Sequence, residues 1–193
     1  MFAASSVLPA SAETMTPQED VRDFIGAIGG PRAVSQYDAF DASKKAAIQE
    51  SFNNSEDPSE FISSDNLSTA TKSIAPDTAL RKAPALEQSE HWMRVPFKVF
   101  GIQFAVYKQR IIYQRRGAAV VAVKSCDGYW QGFKAANHYE THPRKDVTPQ
   151  KHGVCEVMTH VSFIYKGVTP MEYDKKGLIV VKGYNIEESF TNV

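Results

Sequence analysis

The sequence predicts an α+β protein in which short N-terminal helices precede an antiparallel β-sandwich or partial barrel with one disulfide. Three observations predict it. Apolar residues recur at helical spacing early in the chain and alternate with period two only in its second half. The net charge is zero, yet 14 Asp/Glu stand against seven Lys/Arg from Glu13 to Glu90, and eight against 15 from His91 to Val193. Both cysteines, Cys126 and Cys155, fall in the basic β half.

Residues 1–12 read as the remnant of a signal peptide. Met1 to Leu8 is apolar or small, and Pro9-Ala10-Ser11-Ala12 follows with the small-x-small pattern a signal peptidase accepts. Residues 13–62 form an acidic helical segment. Thr16-Pro17-Gln18-Glu19 is a capping box with proline at the first helical position. Val21, Phe24, Ile25 and Ile28 then line one face, and Gly29-Gly30-Pro31 predicts a stop. A second helix is predicted from Asp41 to Phe52, ending at Asn53-Asn54. The cap chemistry of Asp57-Pro58-Ser59-Glu60 then precedes a short turn carrying Phe61 and Ile62. Such narrow apolar faces need a partner to be stable. With an acidic segment facing a basic one, the helices are expected to dock on the β domain through Phe24, Ile25, Ile28, Ile48 and Phe52. Residues 63–90, rich in Ser, Thr, Ala and Pro, read as a polar linker.

Residues 91–193 read as the β domain, with five or six strands and no intervening helix. Val95, Phe97 and Val99 alternate, as do Ile102, Phe104 and Val106, and Ile111-Ile112-Tyr113 suggests a bulge. Arg115-Arg116-Gly117 is read as a turn before a strand from Ala118 to Val123. Val157, Val161, Phe163 and Tyr165 share a face with Cys155, and Asp174 to Gly177 is read as a turn before a last strand, Leu178 to Lys182. The predicted core includes Val99, Phe104, Val121, Val157, Val161, Phe163 and Val180.

Cys126 and Cys155, with 28 residues between them, are expected to pair in an oxidising compartment. Closing that loop contributes about 3–4 kcal/mol in the chain-entropy model. No apolar run approaches the roughly 20 residues that a membrane helix needs. The sequence has no Gly-x-Ser-x-Gly elbow, Walker loop, Gly-x-Gly-x-x-Gly fingerprint or His-Glu-x-x-His helix. Their absence does not exclude catalysis; export, a stapled β scaffold and a basic aromatic face are read as an exported, non-catalytic binding or structural protein of the cell envelope or extracellular space, without a cofactor.

Two constellations carry chemistry. Arg110, Arg115, Arg116, Lys124 and Lys134 interleave with Tyr107, Tyr113, Tyr129 and Trp130. Cations beside flat rings bind anionic polymers by charge and stacking, and the candidate binding residues are Arg110, Tyr113, Arg115, Arg116, Tyr129 and Trp130. The plain alternative is a solvated sheet face with half-buried tyrosines. Export favours an anionic envelope polymer or an extracellular protein as partner over nucleic acid. The second constellation is His138, Glu140 and His142, with His152 beyond. On a strand the first three share one face, as a zinc or copper site requires. Pro143, Pro149 and Arg144-Lys145-Asp146 suit a mobile loop better than a ligand frame, which argues against a tight metal site. The alternative functions are a histidine-based metal or redox enzyme, and an inhibitor or toxin masked by its acidic helices.

The order of leader, helices with Tyr37-Asp38-Ala39-Phe40, linker, and a β domain with Ser125-Cys126-Asp127-Gly128-Tyr129 and Gly153-Val154-Cys155 resembles small secreted proteins of unassigned function from high-GC Gram-positive bacteria. The resemblance implies export and a two-cysteine β domain, and carries over no catalytic residue.

Overall fold

The computed structural model describes residues 17–54, 61–64, 70–73, 85–132, 138–165 and 168–193. The leader-like residues, Thr16, the Asp57–Glu60 cap and Lys134 lie outside these.

Two helices come first. In α1 (Pro17–Asp38), Val21, Phe24, Ile25 and Ile28 are fully buried, as their spacing requires. The expected stop at Gly29-Gly30-Pro31 is instead a kink. Gly30 takes φ 71°, which glycine adopts without strain, and the helix restarts at Pro31 to bury Ala33 and Tyr37. In α2 (Ala42–Asn54), Asp41 is the N-cap, its Oδ1 accepting from the Lys44 amide at 2.8 Å. Ile48 supplies the buried contact of α2, and Phe52 is half-buried against the same core.

Among the described residues nine strands follow: β1 (Ile62–Ser64), β2 (Ala70–Ser73), β3 (Leu86–Val99), β4 (Ile102–Arg116), β5 (Ala119–Gln131), β6 (His138–Val147), β7 (Gly153–Tyr165), β8 (Val168–Lys182) and β9 (Asn185–Asn192). They form two antiparallel sheets, ordered β1-β3-β4-β5 and β2-β9-β8-β7-β6. The fold is therefore mostly antiparallel β and sandwich-like, with two helices. Cys126 on β5 and Cys155 on β7 are bonded, with Cα atoms 5.3 Å apart, so the expected disulfide staples one sheet to the other. No helix among the described residues is long and apolar enough to cross a membrane.

The helices dock on the sheets as expected, and their buried residues join the sheet residues in one apolar cluster. Phe52, Phe61 and Phe100 stack beside Phe24, with centroids 4.6 Å apart for Phe61–Phe100 and 5.2 Å for Phe24–Phe52. Phe100 and Gly101, both at positive φ, form the two-residue turn between β3 and β4.

Several expectations are corrected. Strands occupy residues 62–64, 70–73 and 86–90, so part of the supposed linker belongs to the sheets. Residues 62–64 and 70–73 form edge strands of the two sheets, and residues 86–90 begin β3. Arg115 and Arg116 end β4, the turn being Gly117-Ala118, and residues 174–177 lie inside β8. The His138–Val147 segment is a strand, not a loop. The strand after residue 184 was not expected. It hides because Glu188, between Ile186 and Phe190, also points inward, with His91 Nε2 2.5 Å from its Oε1.

Bulges account for the remaining errors. The pairing of β4 with β5 shifts between Ile112 and Tyr113, within the expected segment, but the extra residue is Lys124 on β5. A second shift leaves Val121 unpaired and 46% exposed, whereas Val120 is fully buried. Inward parity in β8 belongs to Ile179 and Val181, leaving Val180 half-buried on the other face. Val99, Phe104, Val157 and Val161 are core residues as expected; the side chain of Phe163 lies outside the described ones.

Candidate functional site

The inward set Met93, Val95, Phe97 and Val99 fixes the parity of β3 and sends Trp92 and Arg94 to the outer face of the first sheet. Cross-strand register then builds two rows. Trp92 stands opposite Arg110 and Arg110 opposite Asp127; one step along, Arg94 stands opposite Lys108 and Lys108 opposite Tyr129.

In the first row the Arg110 guanidinium lies over the Trp92 ring, 5.4 Å from its centroid, and donates to Asp127 Oδ2 at 2.8 and 3.2 Å. Hydrogen bonds from Ser125 and Arg110 hold the Asp127 carboxyl below the usual carboxylate range. Arg110 is thus positioned and largely neutralised. Trp92 Nε1 donates to Glu90, and the Trp92 and Tyr129 rings meet edge-on, 6.0 Å apart at 89°. Lys108 Nζ sits 6.0 Å from the Tyr129 ring. Among the described residues, neither Arg94 nor Lys108 has a carboxylate partner. The face is an aromatic corner flanked by two uncommitted cations. Residues 86–131 carry seven Lys/Arg and three Asp/Glu, whereas residues 138–193 balance seven against seven, so the basic surplus belongs to the first sheet.

Of the residues singled out from sequence, Arg110 and Tyr129 share this face. Arg116 ends β4, paired with Leu86 and Ala119, away from the corner. Tyr113, Arg115 and Trp130 point inward and are buried. Trp130 Nε1 donates to Thr159 Oγ1 at 2.9 Å, and Arg115 pairs with Glu87 at 3.1 Å beneath the Tyr184 ring. Tyr107 is likewise core. Period two along β4 and β5 separates residues that lie close together in sequence. Trp92, Arg94 and Lys108 were missed, although the alternation of Val95, Phe97 and Val99 carried the signal for the first two.

Among the described side chains, the candidate histidines do not converge. Glu140 and His142 are exposed on β6, with His142 Nε2 3.8 Å from Glu140 Oε2. His152 lies in the turn beyond Val147, about 17 Å along the strand from His142 at ~3.4 Å per residue. The side chain of His138 lies outside the described ones. Across the sheet Glu140 faces His160, whose Nδ1 is 2.9 Å from Asp174 Oδ1. That bond raises the His160 pKa, with Glu172 and Glu140 adding to it. No group of three His, Cys, Asp or Glu side chains among the described residues is arranged to hold a metal.

No family model and no curated protein matches the chain. Among solved structures, the chain is similar to a hypothetical protein from Listeria monocytogenes, with 9% identity over 64% of this chain and 78% of that one, at a TM-score of 0.30.

Proposed function

We propose that this is an exported, non-catalytic binding protein whose first sheet takes an anionic polymer of the cell envelope or extracellular space on its outer face. One observation carries the reading: Arg94 and Lys108 sit side by side, without carboxylate partners among the described residues, against the Trp92–Tyr129 corner. Exposed cations retain their field for a polyanion, and the rings add stacking area that ordinary solvated sheet faces lack. The disulfide supports export, since such bonds persist in oxidising compartments. The small-residue pattern at Pro9–Ala12 is in keeping with it.

The test is titration of the full chain with polyphosphate and with polygalacturonate, alongside the variant R94E/K108E. At least one polymer should bind with an affinity that falls steeply with salt. The variant should lower the logarithmic salt slope by about one per cation removed. Equal binding and equal slope in the variant would refute the reading.

A further inference from the structure

A polar cleft of about 570 Å³ lies between α1 and β4, beside the end of β5. We propose that it is a glycan subsite, so that the polymer of the preceding reading, on which this rests, is a polysaccharide bearing carboxylates, of the uronic-acid class.

The cleft is built by two close approaches. A Cβ on Gly29 would stand 2.8 Å from Phe104 Cβ, so glycine lets α1 close down on β4. Gly132 takes φ 97°, and a Cβ there would stand 2.7 Å from the Phe104 carbonyl oxygen, so glycine lets the end of β5 approach the β4 backbone. Among the described residues, the pairing of β4 with β5 begins at Val106–Gln131. Arg32, Gln36, Gln103 and Gln131 are the polar side chains among the residues that line it.

The wall chemistry selects among polyanions. Each carboxamide offers two donors and an acceptor oxygen. A polyphosphate chain has acceptors only, and would leave the three amide oxygens facing oxygen. Sugar hydroxyls donate and accept, and satisfy both ends of each amide. Arg32, exposed and without a carboxylate partner among the described residues, has the planar fork that pairs with a carboxylate. The cleft shares Gln131 with the strand that carries one ring of the aromatic corner. Gln131 is two residues from Tyr129 on one face of β5, about 7 Å along the strand. One sugar ring stacked at Tyr129 and Trp92 therefore places the following part of the chain in the cleft.

The full chain is titrated with oligogalacturonate, oligomannuronate, the methyl ester of the oligogalacturonate, polyphosphate and polyglutamate. At least one uronate should bind, its binding should fall about tenfold in the uncharged ester, and Arg32→Met should cost about tenfold on the uronate. The variant Q103A/Q131A, both positions being exposed, should weaken uronate binding about tenfold and leave polyphosphate binding unchanged. Melting temperatures equal to the parent's establish that the variants fold. Polyphosphate binding that responds to R94E/K108E, without uronate binding, would overturn this inference and leave the broader reading standing. Binding of none of the polymers would overturn both. Tighter binding of polyglutamate than of either uronate, or losses shared equally by uronate and polyphosphate in Q103A/Q131A, would also overturn the glycan assignment.

Discussion

Gln109 and Gly177 face one another between the sheets so closely that a Cβ on Gly177 would stand 2.0 Å from Gln109 Oε1. Gln109 is fully buried, and its Nε2 donates to the Cys155 carbonyl oxygen at 2.9 Å while its Oε1 accepts from the Tyr107 hydroxyl at 2.9 Å. A buried carboxamide is tolerable only with such partners, and the partners are in reach only because residue 177 lacks a side chain. Gly177→Ala should destabilise the protein by about 1–3 kcal/mol through overpacking. Gln109→Ala should also destabilise it, by opening a cavity and leaving the Tyr107 hydroxyl unpaired. The double variant should be less destabilised than the sum, because the two changes relieve one another. Urea denaturation of the four proteins checks this; strict additivity would show that the two residues do not share the space.

The disulfide acts between sheets rather than within one, so its loss loosens the whole sandwich. Changing Cys126 and Cys155 together to Ser should cost about 2–4 kcal/mol. Reductant should lower the melting temperature of the parent and leave that of the variant unchanged.

The helices are held by apolar contact, not by charge. Phe24, fully buried between α2 and the sheets, should cost about 3–5 kcal/mol when changed to Ala. Arg22 and Asp38 are joined at 2.9 Å on the surface, and Arg22→Ala should leave the stability nearly unchanged. A single calorimetric transition shifted strongly by the first change and little by the second is the expected result.

The class of fold and the staple were legible in the sequence; much of the strand inventory was not. Cys126 and Cys155, Val157 and Val161, and the helical run Val21 to Ile28 each announced their burial by apolar character alone. Glu188, Lys175 and Thr159 are also buried, but each finds its partner on another strand: His91, Asn192 and Trp130. A pattern of apolar and polar letters cannot show a polar residue satisfied by a distant one, so β9 carries no strand pattern and the inner part of β8 resembles a turn. Register was hidden in the same way. The bulges that leave out Val121 and Lys124 exist only in the pairing of β5 with β4, and they decide which side chains reach solvent. The candidate binding face inherits this limit, because Tyr113, Arg115 and Trp130 are basic or aromatic letters that parity turns inward.

The outer face of the second sheet should titrate. The hydrogen bond to Asp174 raises the folded-state pKa of His160 above the ordinary histidine value. The pair's contribution to stability is therefore full below the unfolded-state pKa, about 6.5, and is lost as pH rises through the raised folded value. Asp174→Asn should lower the His160 pKa read by NMR, and its destabilising effect should vanish at alkaline pH. An unchanged His160 titration would show that Asp174 is not its partner in solution.

The central claim, that an anionic polymer binds the outer face of the first sheet, has a built-in reporter. The chain has two tryptophans: Trp92 on that face and Trp130, 6% exposed, in the core. The measurement is tryptophan emission of Trp92→Phe and Trp130→Phe during titration with the polymer that the parent binds. Binding at this face should give a saturable change in Trp130→Phe, which keeps Trp92, and a flat response in Trp92→Phe. A change that survives in Trp92→Phe, or saturable binding that leaves the emission of Trp92 untouched, would contradict it.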